Sequence, residues 1–142
     1  MSGRLSLAHI GYAVADLERY LADFFVPLFQ PQSVSPIVDD PLQRVRIAFA
    51  TLQGGTVIEL IQPLDTVSPV SKLLEAKRGG LYHLCYWADD IEREIARFRE
   101  KGCLPISGPT PATALDGRMV AFLLTPHRDV IELVGLGGAE PS

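Results

Sequence analysis

The chain contains an internal repeat, which constrains its fold more than any other feature of the sequence. The run HIGYAVADLERYLADF begins at His9, and the related run HLCYWADDIEREIARF begins 74 positions later at His83. The tetrapeptide VIEL, which contains Glu59, recurs 73 positions later around Glu132. Such self-similarity indicates one structural unit used twice. The sequence therefore predicts two copies of a unit of roughly 70 residues, each with one His and one Glu at matching positions.

The periodicity of the first copy predicts a strand, a helix and then roughly three strands. The first strand is expected at residues 7–14, and Asp16 is placed to cap the helix that follows. Pro27 should end or distort the last turn of that helix. The apolar side chains of the helix recur at helical spacing and are expected to form one buried stripe, namely Leu17, Tyr20, Leu21, Phe24, Phe25 and Leu28. Residues 30–43 are expected to be irregular, with a candidate edge strand at Val34–Val38. The strand at 45–52 is expected to form a hairpin through a Gly-Gly turn.

The second copy repeats this order of elements. A strand is expected at residues 81–88, followed by a helix capped by Asp89 or Asp90. Residues 103–115 are expected to mirror the irregular stretch of the first copy. A final hairpin follows, and His127 is predicted to lie exposed in its turn.

The domain organisation follows from the repeat. The whole chain, residues 1–142, is predicted to be a single domain made of two modules. The first module spans about 5–64 and the second about 80–136. A linker helix at about 68–78 is expected to join them, because a Ser-Pro pair begins it and two glycines follow it.

Alternation along the strands places the two histidines and the two glutamates on sheet faces that are otherwise apolar. The side chains that share a face with one of them are Gly11, Ala13, Val57, Ile61, Cys85, Trp87, Val130 and Val134. The opposite faces are expected to pack against the helices through Ile58, Leu60, Ile131 and Leu133. The His and Glu side chains are therefore expected to be buried or to line a pocket.

The repeated His and Glu residues predict a metal site formed by His9, Glu59, His83 and Glu132. A carboxylate on an apolar face costs several kcal/mol unless it is paired or takes up a proton. Two carboxylates at equivalent positions need a common partner, and a divalent cation with two imidazole and two carboxylate ligands supplies it. A single pair of this kind more often consists of a hydrogen-bonded His and a solvated Glu than of two metal ligands. The matching spacing in both copies favours the metal.

Composition and charge exclude several other classes of function. Hydrophobic residues make up 47% of the chain and charged residues 21%, which is typical of globular proteins. The net charge of −4 and the lack of basic runs argue against a nucleic-acid partner. No apolar stretch is long enough for a membrane span or a signal peptide. Cys85 and Cys103 have neither metal-ligand spacing nor a disulfide framework, so a reducing, cytoplasmic location is expected.

Several motifs resemble a known superfamily over nearly the whole chain, from about residue 7 to residue 136. They are HIGYAVADLE, VRIAFATLQGGTVIELIQPL, SPVSKLLE, GLYHLCYWADDIE, RMVAFLLT and VIELVGL. The chain resembles the vicinal-oxygen-chelate superfamily, also called glyoxalase/bleomycin-resistance/dioxygenase. The nearest branch is that of the methylmalonyl-CoA epimerases. The resemblance implies an α+β fold in which two βαβββ modules form a cupped, barrel-like mixed sheet around a central metal cavity.

The resemblance also implies a site and an activity. The metal ligands fall on His9, Glu59, His83 and Glu132, the same four residues that the repeat selects. The implied cofactor is one divalent ion, Co, Ni, Zn, Mn or Fe. The implied function is a metal-dependent isomerase or lyase of the epimerase or glyoxalase type, acting on a small molecule such as an acyl-CoA thioester. Glu132 is the expected general base and Glu59 its symmetric counterpart. A homodimer is expected on the resemblance alone.

Two departures from the family pattern and two alternative functions qualify this expectation. Some epimerases have a second catalytic glutamate on the strand before the Gly-Gly hairpin, where this chain has Arg46, Ile47 and Ala48. The loop before the last strand is shortened to TPHRD. One alternative is a non-catalytic protein of the same fold that binds a drug or metabolite. The other is an Fe(II) dioxygenase, which Glu59 as a fourth ligand disfavours because such enzymes use two histidines and one carboxylate.

Overall fold

The computed structural model describes residues 5–77 and 79–136. The described residues divide into two compact units, which we call the first module (residues 9–82) and the second module (residues 83–136 together with 5–8). Both modules combine strands with a few helices, so the predicted mixed α+β class is confirmed.

The first module is a mixed sheet with one face covered by a helix. Its elements are β1 (Ser6–Ala13), α1 (residues 17–29), β2 (Ser33–Val34), β3 (Val38–Asp40), β4 (Val45–Thr51), β5 (Val57–Pro63) and α2 (Pro69–Lys77). The strands lie in the order β2, β4, β5, β1, and β3 also pairs with β4. β1 runs parallel to β5, whereas β4 and β5 form an antiparallel hairpin.

The second module repeats this arrangement. Its elements are β6 (Gly80–Ala88), α3 (Ile91–Glu100), β7 (Leu104–Ala112), a 3₁₀ turn (Thr113–Leu115), β8 (Arg118–Leu124) and β9 (Val130–Gly135). The strands lie in the order β6, β9, β8, β7. β6 runs parallel to β9, and β8 pairs antiparallel with both β9 and β7.

The helices α1 and α3 begin at equivalent aspartates. The backbone N–H of Arg19 donates to Asp16 Oδ1 at 3.2 Å, and that of Arg93 donates to Asp90 Oδ1 at 3.1 Å. Each carboxylate satisfies an N–H group that has no partner within the helix. The cap predicted at Asp16 is confirmed, and Asp90 rather than Asp89 caps the second helix.

The predicted apolar stripe of α1 is partly wrong. Leu17, Leu21 and Phe25 are buried, but Phe24 is 46% exposed and Leu28 is 60% exposed. The reason is a π-helical segment, Leu21–Phe25, in the middle of the helix, where the N–H of Val26 donates to the carbonyl of Leu21. A π turn contains more residues than an α turn. The buried residues Leu17, Leu21 and Phe25 therefore recur every four positions, and Phe24 and Leu28 are turned toward solvent. The segment ends immediately before the last turn, which contains Pro27 and was predicted to be distorted.

The prediction of an irregular stretch at residues 103–115 is also wrong. Most of it forms β7, which pairs with β8 from Leu104 to Ala112. The sequence suggested a loop because of its prolines, which lack the N–H that a central strand needs. β7 is the last strand in the order of its module, and two register shifts interrupt its pairing with β8, between Pro105 and Ser107 and between Ser107 and Thr110. An edge strand with bulges accommodates prolines.

In each module one sheet face packs against the helix, as predicted. Leu60 of β5 is fully buried in a cluster with Leu17 and Leu21 of α1. Leu133 of β9 is fully buried in a cluster that also receives Ile95 of α3. Because neighbouring residues of a strand point to opposite faces, the glutamates that precede these leucines lie on the faces away from the helices.

The link between β5 and α2 is organised by one carboxylate. Oδ1 of Asp65 accepts hydrogen bonds from the backbone N–H groups of Val67 and Ser68, both at 2.9 Å. Its Oδ2 pairs with the Arg44 Nε at 2.9 Å. The predicted linker helix is α2, and Arg78, at its predicted end, lies outside the described residues. In the described part of the chain, no helix has the length and apolar character needed to cross a bilayer.

The first prediction concerns the pH dependence that Asp65 confers. The hydrogen bond from Arg44 lowers the pKa of Asp65, and the bonds from Val67 and Ser68 lower it further. Since the folded-state pKa is lowered, the stabilisation is present above the unfolded-state pKa of about 3.9 and is lost as the pH falls through the folded-state value. Asp65→Asn should therefore lower the melting temperature at pH 7, and this deficit should shrink in acid. Asp116→Asn, an exposed carboxylate before β8, is the control. A deficit that stays constant down to pH 2.5 would contradict the assignment.

Candidate metal centre

The first module brings His9 of β1 to Glu59 of β5. In the parallel ladder Glu59 lies opposite Gly11, two residues beyond His9 on the same face. The His9 Nε2 and the Glu59 Oε1 are 3.1 Å apart. Both side chains are almost completely buried, with His9 3% and Glu59 4% exposed.

The second module builds the same arrangement from the second copy. Glu132 of β9 lies opposite Cys85 of β6, again two residues beyond the histidine. The His83 Nε2 and the Glu132 Oε1 are 2.8 Å apart, and both side chains are buried. The structure therefore brings each predicted histidine to the predicted glutamate of its own copy, with the same strand register in both.

Each histidine also packs edge-on against a phenylalanine that the sequence reasoning missed. Phe49 of β4 lies opposite Glu59, and its ring centroid is 5.4 Å from that of His9 at an interplanar angle of 62°. Phe122 of β8 lies opposite Glu132, with a centroid distance of 5.4 Å to His83 and an angle of 84°. The signal was present in the sequence, because Ala-Phe at 48–49 recurs at 121–122 under the same shift of 73 positions. The two rings restrict the orientation of the imidazoles.

The geometry of each pair fits adjacent ligands of one cation. Ligand atoms about 2.1 Å from an ion and at right angles to one another lie about 3 Å apart. The measured Nε2–Oε1 distances of 3.1 and 2.8 Å match this value. Imidazole nitrogens with carboxylate oxygens are a donor set for divalent transition metals. Each pair could therefore bind a cation. Burial favours such binding, because a carboxylate removed from water needs a positively charged or proton-donating partner.

The remaining predicted positions lie outside these pairs or add apolar surface to them. His127 is exposed in the turn between β8 and β9, as predicted. Ile47 of β4 lies opposite Ile61, on the face of Glu59 and Phe49, and is buried. Ile47, one of the three positions near which the resemblance would place a second glutamate, therefore contributes only hydrocarbon to that face.

Comparison with known proteins places the chain in a family. Residues 8–122 match the model of the Glyoxalase/Bleomycin resistance protein/Dioxygenase superfamily. The ethylmalonyl-CoA/methylmalonyl-CoA epimerase of Cereibacter sphaeroides is 36% identical over 124 residues, which cover 87% of this chain and 89% of that protein. A hypothetical protein from Bacillus halodurans C-125 has a TM-score of 0.81 at 29% identity, covering 99% of this chain and 100% of that one. A methylmalonyl-CoA epimerase solved with methylmalonyl-CoA and NH4+ has a TM-score of 0.79 at 25% identity, covering 98% of this chain and all of the other.

These comparisons confirm the predicted resemblance and the predicted fold class. They also confirm the expectation of an enzyme similar to the epimerases, since relatives that match most of the chain are named as epimerases.

The second prediction tests the role of the phenylalanines. Phe122→Leu removes the ring that holds the His83 imidazole while keeping the position apolar. If His83 is a metal ligand, loss of the ring should weaken Co²⁺ binding, though by less than the about 10- to 100-fold that hydrogen-bonded partners of a ligand contribute. The measurement is a calorimetric titration of metal-free protein. Phe98→Leu, in the helix layer of the same module, is the matched control and should leave the affinity unchanged. Equal affinities of the Phe122 variant and the parent protein would show that the ring only fills space.

The chain belongs to the glyoxalase/bleomycin resistance protein/dioxygenase superfamily.

Proposed function

We propose that the protein is a metal-dependent epimerase or related isomerase that removes the proton next to the carbonyl of an acyl-CoA thioester. The observation that carries this proposal is the buried His–Glu pair in each module, with Nε2–Oε1 distances of 3.1 and 2.8 Å. The pairs occur in a chain that is 36% identical to an epimerase named for methylmalonyl-CoA and ethylmalonyl-CoA. A solved relative in complex with methylmalonyl-CoA supports the substrate class.

The proposal includes one divalent cation per chain, held by His9, Glu59, His83 and Glu132. Two carboxylates and two neutral imidazoles carry a charge of −2, which a single divalent ion neutralises. Four ligands of one ion would also explain why the repeat preserves both residue types in both copies. A ligand set of carboxylates and imidazoles is compatible with Co, Ni, Zn, Mn and Fe and does not by itself select one of these metals.

The cation and the protein side chains contribute differently to removal of the α-proton. When bound, the cation acts as a Lewis acid that polarises the substrate carbonyl and makes the neighbouring C–H more acidic. Glu132 accepts the proton at its carboxylate, and Glu59 is its counterpart on the other copy. Phe49 and Phe122 hold the imidazoles in place. The apolar residues around them, such as Val134, exclude water that would weaken these electrostatic effects.

The residues of this chain are compatible with two routes. Glu132 alone can remove and return the proton, or Glu59 can act as the second acid that inversion of the α-carbon requires. Ile47 cannot be that second acid. A non-catalytic binding protein and an Fe(II) dioxygenase stay as alternatives of the same fold. The homodimer, the cytoplasmic location and a lyase activity stay predictions.

The third prediction tests whether the two pairs act as one site. If one cation has ligands from both copies, His9→Ala and His83→Ala should each abolish tight binding. If each pair binds independently, either variant should keep binding at the other pair. Metal content after dialysis against Co²⁺ distinguishes the two cases, with His127→Ala as the control for loss of an exposed imidazole. Stoichiometric metal in both variants would rule out the four-ligand assignment.

The fourth prediction tests the chemistry directly. Incubating the metal-loaded protein with methylmalonyl-CoA in deuterated water should introduce deuterium at the α-carbon, because the proton returned comes from the solvent. Glu132→Gln should slow this exchange by about 100-fold or more, the usual contribution of a positioned base. Glu59→Gln should slow it less, since the family resemblance gives Glu132 the role of base.

The stereochemical outcome adds a second readout to this experiment. Exchange without inversion would indicate a one-base enzyme and count against epimerase activity, whereas exchange with inversion would indicate that Glu59 acts as the second acid. If a metal-loaded protein catalyses no exchange with methylmalonyl-CoA or ethylmalonyl-CoA, the proposal fails and the binding-protein alternative is favoured.

A further inference from the structure

A row of apolar side chains leads from His83 to the edge strand of the second module. His83 of β6 lies opposite Val130 of β9. Val130 in turn lies opposite Leu124 of β8, and Leu124 lies opposite Leu104 of β7. Residues that lie opposite each other on paired strands point to the same face of the sheet, so these three side chains share the face of His83. We call Val130, Leu124 and Leu104 the apolar row.

Each side chain of the apolar row has exposed surface. Val130 and Leu124 are partly exposed, and Leu104 on the edge strand is 63% exposed. Because neighbouring strands lie about 4.8 Å apart, the row extends about 14 Å from the backbone of His83 to that of Leu104. Phe122, which follows the row on β8 and lies opposite Glu132, is partly exposed as well. The row therefore offers apolar surface that begins beside the His–Glu pair and opens to solvent.

The side chains further along the strands offer a ligand no such surface. On the same face, beyond His83 and Glu132, lie Cys85, Val120 and Val134, which are fully buried. Of these two directions, only the apolar row is accessible to a ligand held at the pair.

The first module has polar residues in the corresponding places. Val57 of β5 lies opposite Thr51 of β4, and Thr51 lies opposite Ser33 of β2. Thr51 and Leu124 are 73 positions apart, the same shift that relates the two VIEL segments. One copy of the unit thus folds with hydroxyl groups where the other has leucines, so the fold itself does not require these positions to be apolar. Exposed leucines on an edge strand such as β7 also increase the risk of aggregation, which makes a ligand the better explanation for them.

We propose that the apolar row binds the alkyl substituent on the α-carbon of the acyl substrate, and that Leu124 determines which substituents are accepted. This inference rests on the proposed function, because it assumes that the substrate carbonyl lies near His83 and Glu132. The α-carbon is bonded to that carbonyl, so its substituent begins near Val130 and can extend over Leu124 toward Leu104. The substrate class is therefore alkylmalonyl-CoA thioesters with chains longer than the methyl and ethyl groups of the substrates named for the Cereibacter sphaeroides relative.

Calorimetric binding to the metal-loaded protein tests the inference with methylmalonyl-CoA, ethylmalonyl-CoA and butylmalonyl-CoA, which differ only in alkyl length. The affinity should rise by up to about fourfold for each added methylene, as expected when that group is removed from water. Leu124→Thr introduces the residue of the first copy and should lower the ratio of the butylmalonyl-CoA to the methylmalonyl-CoA affinity by about five- to tenfold. Methylmalonyl-CoA itself should bind within about twofold of the parent value, because its methyl group is too short to bury the Leu124 side chain.

Further variants separate the apolar row from general effects on the protein. Leu104→Ser, at the exposed end of the row, should lower the same ratio by a smaller factor, and it tests the inference even if Leu124→Thr fails to fold. Leu42→Ser makes the same change in the turn before β4, at a position that is 65% exposed, and should alter none of the affinities. Leu124→Val keeps the row apolar and should preserve most of the gain with chain length.

Three results would overturn the inference. Affinities of the parent protein that do not rise with alkyl length would exclude an alkyl site. An equal loss for all three probes in Leu124→Thr would show that the row contacts the coenzyme A part instead. If Leu104→Ser converts a dimer into a monomer in sedimentation and leaves the affinity ratio unchanged, a second copy of the chain covers the row. Binding that depends on alkyl length and on Leu124, without deuterium exchange, would refute the proposed reaction while supporting this assignment.

Discussion

A buried carboxylate next to a buried imidazole is the constraint on which the two modules depend. Glu59 and Glu132 are buried on sheet faces where, apart from the histidines, most neighbouring side chains are apolar, and an isolated charge there would cost several kcal/mol. Nearby Nε2 atoms at 3.1 and 2.8 Å supply part of the compensation. Replacing such a pair by hydrocarbon would be neutral or stabilising in many proteins. The presence of the pair in both copies therefore indicates a function that requires these side chains. Binding of the proposed cation is such a function.

The strand register explains how each module brings its histidine and its glutamate side by side. In each module the strand carrying the histidine runs parallel to the strand carrying the glutamate, and the glutamate lies opposite the residue two positions after the histidine. A phenylalanine from the next strand lies opposite the glutamate and contacts the imidazole. The helix covers the other face through leucines adjacent to the glutamates in sequence. A shift of one residue would exchange these faces, so the helix packing also specifies where the glutamates point.

Much of the fold and of the candidate site could be predicted from the sequence because they depend on short-range patterns. Alternation identified the faces of β1, β5, β6 and β9, and the repeat singled out the two His–Glu pairs. Predictions failed where tertiary structure overrides local preference. The prolines of β7 indicate a loop, but an edge strand with register shifts accommodates them. Phe24 fits an α-helical stripe, but the π segment turns it toward solvent. The sequence repeats Ala-Phe at 48–49 and 121–122, but the contacts of Phe49 and Phe122 with the histidines depend on which strands are neighbours, and no single window of sequence contains that information.

A crystal structure of the Co²⁺-loaded protein, with data collected at the cobalt absorption edge, most directly tests whether the two His–Glu pairs bind one cation, as we propose. The account predicts one anomalous peak per chain, about 2.1 Å from the Nε2 atoms of both His9 and His83, with Glu59 and Glu132 as oxygen ligands. Two peaks per chain, each beside one pair, would contradict it. A single peak bound by only one histidine would contradict it as well.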